Sequence, residues 1–104
     1  MDNSKLKKFK ELYEKNPENP LASYSLANEY FKLKMYSEAV NQIKEYLKIK
    51  DDEGAVYRML AESSLELGNK NEAIKAYEEG IEAAIKHEHE GMAEEFQECI
   101  EYLE

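Results

Sequence analysis

The stretch from Gly54 to His87 reads GAVYRMLAESSLELGNKNEAIKAYEEGIEAAIKH. Apolar residues recur at helical spacing on both sides of Gly68-Asn69, so the stretch is a pair of amphipathic helices around a tight turn. Gly68 suits that turn because it takes the left-handed conformation that ends a helix at no steric cost. Gly80 lies inside the second helix, where glycine costs roughly 1 kcal/mol relative to alanine. A glycine kept there predicts close packing of a neighbouring element.

The residues before this stretch repeat its plan at an offset of 34. Under that shift Leu26 meets Leu60, Ala27 meets Ala61, Leu33 meets Leu67, Glu38 meets Glu72, Ala39 meets Ala73 and Glu45 meets Glu79. Val40 with Ile74, Leu47 with Ile81 and Phe31 with Leu65 are similar pairs. The first copy therefore predicts helices over about Leu21–Leu33 and from Ser37, taken as the N-cap, through Leu47. Asp51-Asp52-Glu53-Gly54 separates the copies. Small residues at Ala27, Ala39, Ala61 and Ala73 let paired helices approach, while Leu26, Tyr30, Leu60 and Tyr77 fill the space between copies. Two departures stand out: Ser23 occupies the place of Tyr57, and Lys34 that of Gly68. A left-handed backbone at Lys34 costs roughly 1–2 kcal/mol.

Shifted backwards by the same 34, Leu6, Phe9, Glu11 and Tyr13 fall on Val40, Ile43, Glu45 and Leu47. The first helix, expected at 4–16 with Ser4 as its cap, is thus the second half of a repeat. It stops at Asn16-Pro17-Glu18-Asn19-Pro20, because a proline disfavours helix at the residue before it, and Pro20 fits the first turn of the next helix. Beyond His87 the offset fails. Met92, Phe96, Ile100 and Leu103 still mark an amphipathic helix over 91–103, with Glu94, Glu95, Glu98 and Glu101 outward. It is read as a cap covering the last apolar face of the stack. The organisation is then one domain over 1–104: half-repeat 4–16, repeat one 20–53, repeat two 54–87 and capping helix 91–103.

Composition narrows function by exclusion. At 104 residues with 42% hydrophobic content the chain holds a thin folded core. The net charge of −9 lies entirely in residues 54–104, where four basic residues face thirteen glutamates, whereas ten lysines and ten acidic residues balance over 1–53. Phosphate backbones need cationic contacts, so nucleic acid is a poor partner. No window approaches the ~20 apolar residues of a membrane span. No apolar leader opens the chain, and the single Cys99 forms no internal disulfide, so a cytoplasmic location is expected.

A 34-residue helix–turn–helix period resembles the tetratricopeptide (TPR) family. The second copy carries the resemblance most fully: Tyr57, Leu60 and Ala61 match the large–large–small pattern of the first helix, Gly68 the turn, and Ala73, Tyr77 and Gly80 the second helix. The likeness covers about Lys5 to His87. It implies an all-α, right-handed superhelix of about six helices in helix–turn–helix pairs. It also implies a concave groove, lined by the first helices of successive repeats, that binds a peptide segment of a partner. The expected groove residues are Tyr24, Asn28 and Phe31 from the first copy and Arg58, Met59 and Glu62 from the second. Tyr24, Asn28 and Phe31 stand at i, i+4 and i+7, and aromatic, Met and Arg side chains are the types that anchor interfaces. The aromatics either line the groove or complete the core.

The resemblance implies a non-enzymatic scaffold or adaptor, with no cofactor and no catalytic or metal site. His87, Glu88, His89 and Glu90 supply metal-ligand types without a converging set, and no phosphate loop or nucleophile–base pattern occurs. Some TPR proteins hold acidic chaperone C-termini in a clamp of Lys, Asn and Arg. Asn28 falls on one such position, but Tyr24 and Met59 stand where clamp residues would, so a basic or apolar partner suits this chain better. The alternative is a self-associating module that homodimerises through its helical ends, since the first helix lacks a partner on its far side.

Overall fold

The computed structural model describes residues 4–104. Among them are six helices and no strand: α1 (Ser4–Lys15), α2 (Pro20–Lys32), α3 (Tyr36–Ile49), α4 (Ala55–Glu66), α5 (Lys70–Lys86) and α6 (Glu90–Leu103). They form two compact units, Met1–Lys50 and Asp51–Glu104.

In the first unit α2 packs against both α1 and α3. Ala27 and Ala39 are completely buried, beside a core that includes Leu6, Leu26 and Ile43. The Asn19 side chain starts α2, its Oδ1 accepting from the amides of Leu21 at 2.9 Å and Ala22 at 3.4 Å. Pro20 follows at the first position, where its missing N–H costs nothing. Ser37, expected to cap α3, does not: the helix begins at Tyr36, Met35 is the capping residue, and no side chain caps it. Helix α1 is described from Ser4 onward.

In the second unit α5 packs against both α4 and α6. Ala61 and Ala73 are fully buried, and the Tyr77 and Phe96 rings meet at a tilt of 48° with centroids 5.4 Å apart. The expected close approach at Gly80 is present. A Cβ there would lie 2.7 Å from Phe96 Cε2 and 2.9 Å from Tyr57 Cβ, so α4, α5 and α6 converge on this one residue. Gly54 is a second such point: its φ is +134°, and a Cβ there would lie only 2.6 Å from Met92 Sδ.

The unit boundary lies three residues before the expected repeat boundary, for a physical reason. Asp52 Oδ2 accepts from the amides of Gly54 at 2.8 Å and Val56 at 3.0 Å, capping α4. Asp51 Oδ2 accepts from Lys86 Nζ at 2.7 Å and lies 3.3 Å from His87 Nε2, while Glu53 lies 3.5 Å from His89 Nε2. The acidic connector is thereby fastened to the second unit.

Three turns share one geometry. Lys34, Gly68 and Glu88 have positive φ of 61°, 79° and 63°. At each, the residue's own amide bonds to a carbonyl three back and the next amide to one five back from itself: Lys34 to Phe31 and Met35 to Tyr30, Gly68 to Leu65 and Asn69 to Ser64, Glu88 to Ile85 and His89 to Ala84. This is the Schellman closure of a helix. The α5–α6 turn is thus built like those inside the repeats, although its sequence lies outside the 34-residue register.

Candidate functional site

The first helix of each full repeat carries three expected site residues, and each unit holds its own set. On α2, Tyr24, Asn28 and Phe31 are all half-buried. Tyr24 tilts against Tyr46 of α3 at 5.8 Å between centroids, and Phe31 meets Tyr36 edge-on at 5.9 Å. Both aromatics are therefore held by α3 while leaving part of each ring accessible. Asn28 lies between them on the same helix stripe, and its amide forms no hydrogen bond with any described residue. A half-buried amide with two donors and an acceptor to spare can meet an incoming backbone N–H and C=O together.

On α4 the three residues differ in accessibility. Glu62 is exposed and Met59 is buried. Arg58 makes a two-pronged pair with Glu95 of α6, Nε to Oε2 at 2.9 Å and Nη2 to Oε1 at 2.8 Å. Its guanidinium also lies over the Phe96 ring at 5.2 Å from the centroid. Arg58 therefore ties α4 to α6. Glu95 is exposed, as expected of the outward glutamates of α6, and has Arg58 as its partner.

Sequence reasoning missed one interior polar contact. Ser23, completely buried, accepts from Gln42 Nε2 at 2.9 Å. At the offset of 34 these positions hold Tyr57 and Ala76 in the second copy. One copy sets a large residue on the first helix against a small one on the second; the other sets a small hydroxyl against a long amide. The signal was available in the paired departure, Ser23 from Tyr57 together with Gln42 from Ala76.

Among the described residues no group of three or more His, Cys, Asp and Glu side chains is arranged to hold a metal. Cys99 is half-buried rather than fully packed. Burial first, and then its hydrogen bond with Cys99, raises the pKa of the Tyr77 phenol. No helix among the described residues is long and apolar enough to cross a membrane.

Residues 2–80 match the family model described as anaphase-promoting complex, cyclosome, subunit 3 (ANAPC3), a TPR-type repeat family. The chain belongs to this ANAPC3 family. The match spans α1 to α4 and most of α5, the part of the chain in which the 34-residue register holds. No curated protein matches the chain. Among solved structures, the solution structure of protein BPP2914 from Bordetella parapertussis is similar in fold, with a TM-score of 0.80 at 17% identity, over 99% of this chain and 89% of that one. At that identity the likeness speaks to the fold alone. ANAPC3 membership carries protein–protein interaction as the general function, in a family that is generally non-enzymatic.

Proposed function

We propose that this protein is a cytoplasmic, non-enzymatic scaffold or adaptor that binds a peptide segment of a partner protein on the first helices of its repeats. The observation that carries the reading is Asn28, a half-buried amide without a hydrogen-bond partner among the described residues, bracketed by Tyr24 and Phe31. An extended peptide gains most from such an arrangement when its backbone meets the amide and its apolar side chains meet the aromatic edges. The second unit carries its own expected set on α4, in which Glu62 is exposed. Arg58 is satisfied by Glu95 and adds no free positive charge. The α2 set by itself fits a peptide with apolar side chains, and the exposed Glu62 of the second unit fits a basic one.

The test is selection of peptides from a random library on the wild-type protein, followed by affinity measurement on Asn28→Ala and Phe31→Ala. The reading expects each variant to stay folded by circular dichroism and to bind selected peptides about tenfold or more weakly, the loss of one anchoring contact. Unchanged affinity in both folded variants overturns it.

A further inference from the structure

The second unit contains a cavity that the α2 reading does not use. It measures about 320 Å³ and is lined by Leu65 of α4, Tyr77 of α5 and Cys99 and Leu103 of α6, with Glu95 and Glu98 in its wall. Leu65 and Leu103 stand near the C-terminal ends of α4 and α6, and a helix C-terminus carries partial negative charge on its free carbonyls. Four helices answer that charge with a lysine in the last turn: Lys15, Lys32, Lys48 and Lys86. Helices α4 and α6 have no basic residue in the last turn. Both helices that lack a terminal cation therefore end at this apolar cavity, beside two carboxylates. Arg58 engages Glu95, and Glu98 forms no ion pair with a described residue. The site calls for an apolar side chain flanked by cations.

The chain itself displays that pattern at its other end. On α1, Lys5, Lys8, Leu12 and Lys15 fall at i, i+3, i+7 and i+10, one stripe of the helix. All four are exposed, Leu12 to 42%. None of these lysines forms an ion pair with a described residue; Lys5 lies over the Phe9 ring. The stripe is separate from the face that buries Leu6. Helix α1 holds five lysines and two glutamates, and α6 five glutamates and no cation.

We propose that α1 of a second copy docks on the α4–α6 cavity, Leu12 entering the apolar floor and Lys8 and Lys15 facing Glu98, Glu95 and the two helix ends. The contact is head-to-tail, joining two different surfaces of the same chain. One helix stripe against one cavity is a small interface, so association is weak, with dissociation constants in the range of about 0.1–1 mM. It does not depend on Asn28.

Sedimentation equilibrium of the full chain up to about 1 mM tests this, with Leu12→Glu and Glu98→Lys at exposed positions and circular dichroism as the fold control. The wild type is expected to gain mass with concentration, and about tenfold less readily when salt shortens the Debye length from roughly 14 to 4 Å. Each variant alone is expected to be monomeric. Mixed in equal amounts, they are expected to form a heterodimer, because one retains a working cavity and the other a working α1. A wild type monomeric at the top concentration overturns the proposal. So does a Glu98→Lys variant that associates like wild type, which would indicate contact between α1 helices, and so does a mixture that forms no heterodimer.

Discussion

At the residue scale, backbone conformation makes the sharpest demands. Lys34 and Gly68 hold equivalent places in the two repeats, with φ of 61° and 79°. The left-handed region costs a side-chain-bearing residue about 1 kcal/mol or more. Lys34→Gly is therefore expected to raise Tm by a few degrees, roughly 4–8 °C per kcal/mol for a chain of this size. Gly68→Ala is expected to lower it, and since nothing lies within 4 Å of a Cβ there, the loss is purely conformational. A Lys34→Gly protein that melts at or below the wild-type temperature contradicts this account of the turn. Gly80→Ala acts by a different route. The added methyl meets the Phe96 ring and Tyr57 Cβ, and overpacking at about 1–3 kcal/mol exceeds the roughly 1 kcal/mol gained in helix propensity. Urea titration is expected to show a less stable protein, not the more stable one that propensity alone would give. At Asp51, the hydrogen bond from Lys86 holds the carboxyl below its ordinary value of 3.8. A carboxyl with a lower pKa folded than unfolded adds stability above the unfolded value, and loses it as pH falls through the folded one. Asp51→Asn is thus expected to lower Tm slightly near pH 7 and not near pH 2, the effect being small because the pair is exposed.

At the element scale, the two helical pairs solve one packing problem differently. Ser23 and Gln42 make a buried hydrogen bond where the second repeat places Tyr57 and Ala76. Ser23→Ala strands the Gln42 amide and is expected to cost about 1–3 kcal/mol. Ser23→Ala/Gln42→Ala together are expected to cost less than the sum of the single changes, and additive losses by chemical denaturation would show that the two side chains act independently. Helix positions, the repeat register and the reason for Gly80 were legible in the sequence because periodicity and spacing carry them. The helix starts were less so. Ser37 has the chemistry of a cap, but the Schellman closure at Lys34 brings the chain into α3 at Tyr36, leaving Ser37 in the first turn. Asp52 caps α4 from beyond the expected boundary, a role that required the fold of the connector as well as its composition. The Arg58–Glu95 pair joins residues 37 apart on helices outside any common register, so no spacing rule announced it.

At the scale of the whole molecule, the unit boundary sharpens the charge division seen in the sequence. Residues 1–50 hold ten lysines against seven acidic residues, a net +3, and residues 51–104 hold four basic against sixteen acidic residues, a net −12. The expected site is likewise shared out. Tyr24, Asn28 and Phe31 sit partly accessible on α2, whereas on α4 Met59 is buried and Arg58 is committed to Glu95. The central claim is that the α2 face receives a partner's peptide, with Asn28 as its polar anchor. Its most direct test is titration of a library-selected peptide into the isotope-labelled protein, followed by amide chemical shifts. The account predicts the largest shifts, including the Asn28 side-chain amide, along Tyr24, Asn28 and Phe31. Shifts confined to exposed residues of α5 such as Lys75 and Glu78, with the Asn28 amide unmoved, would contradict it.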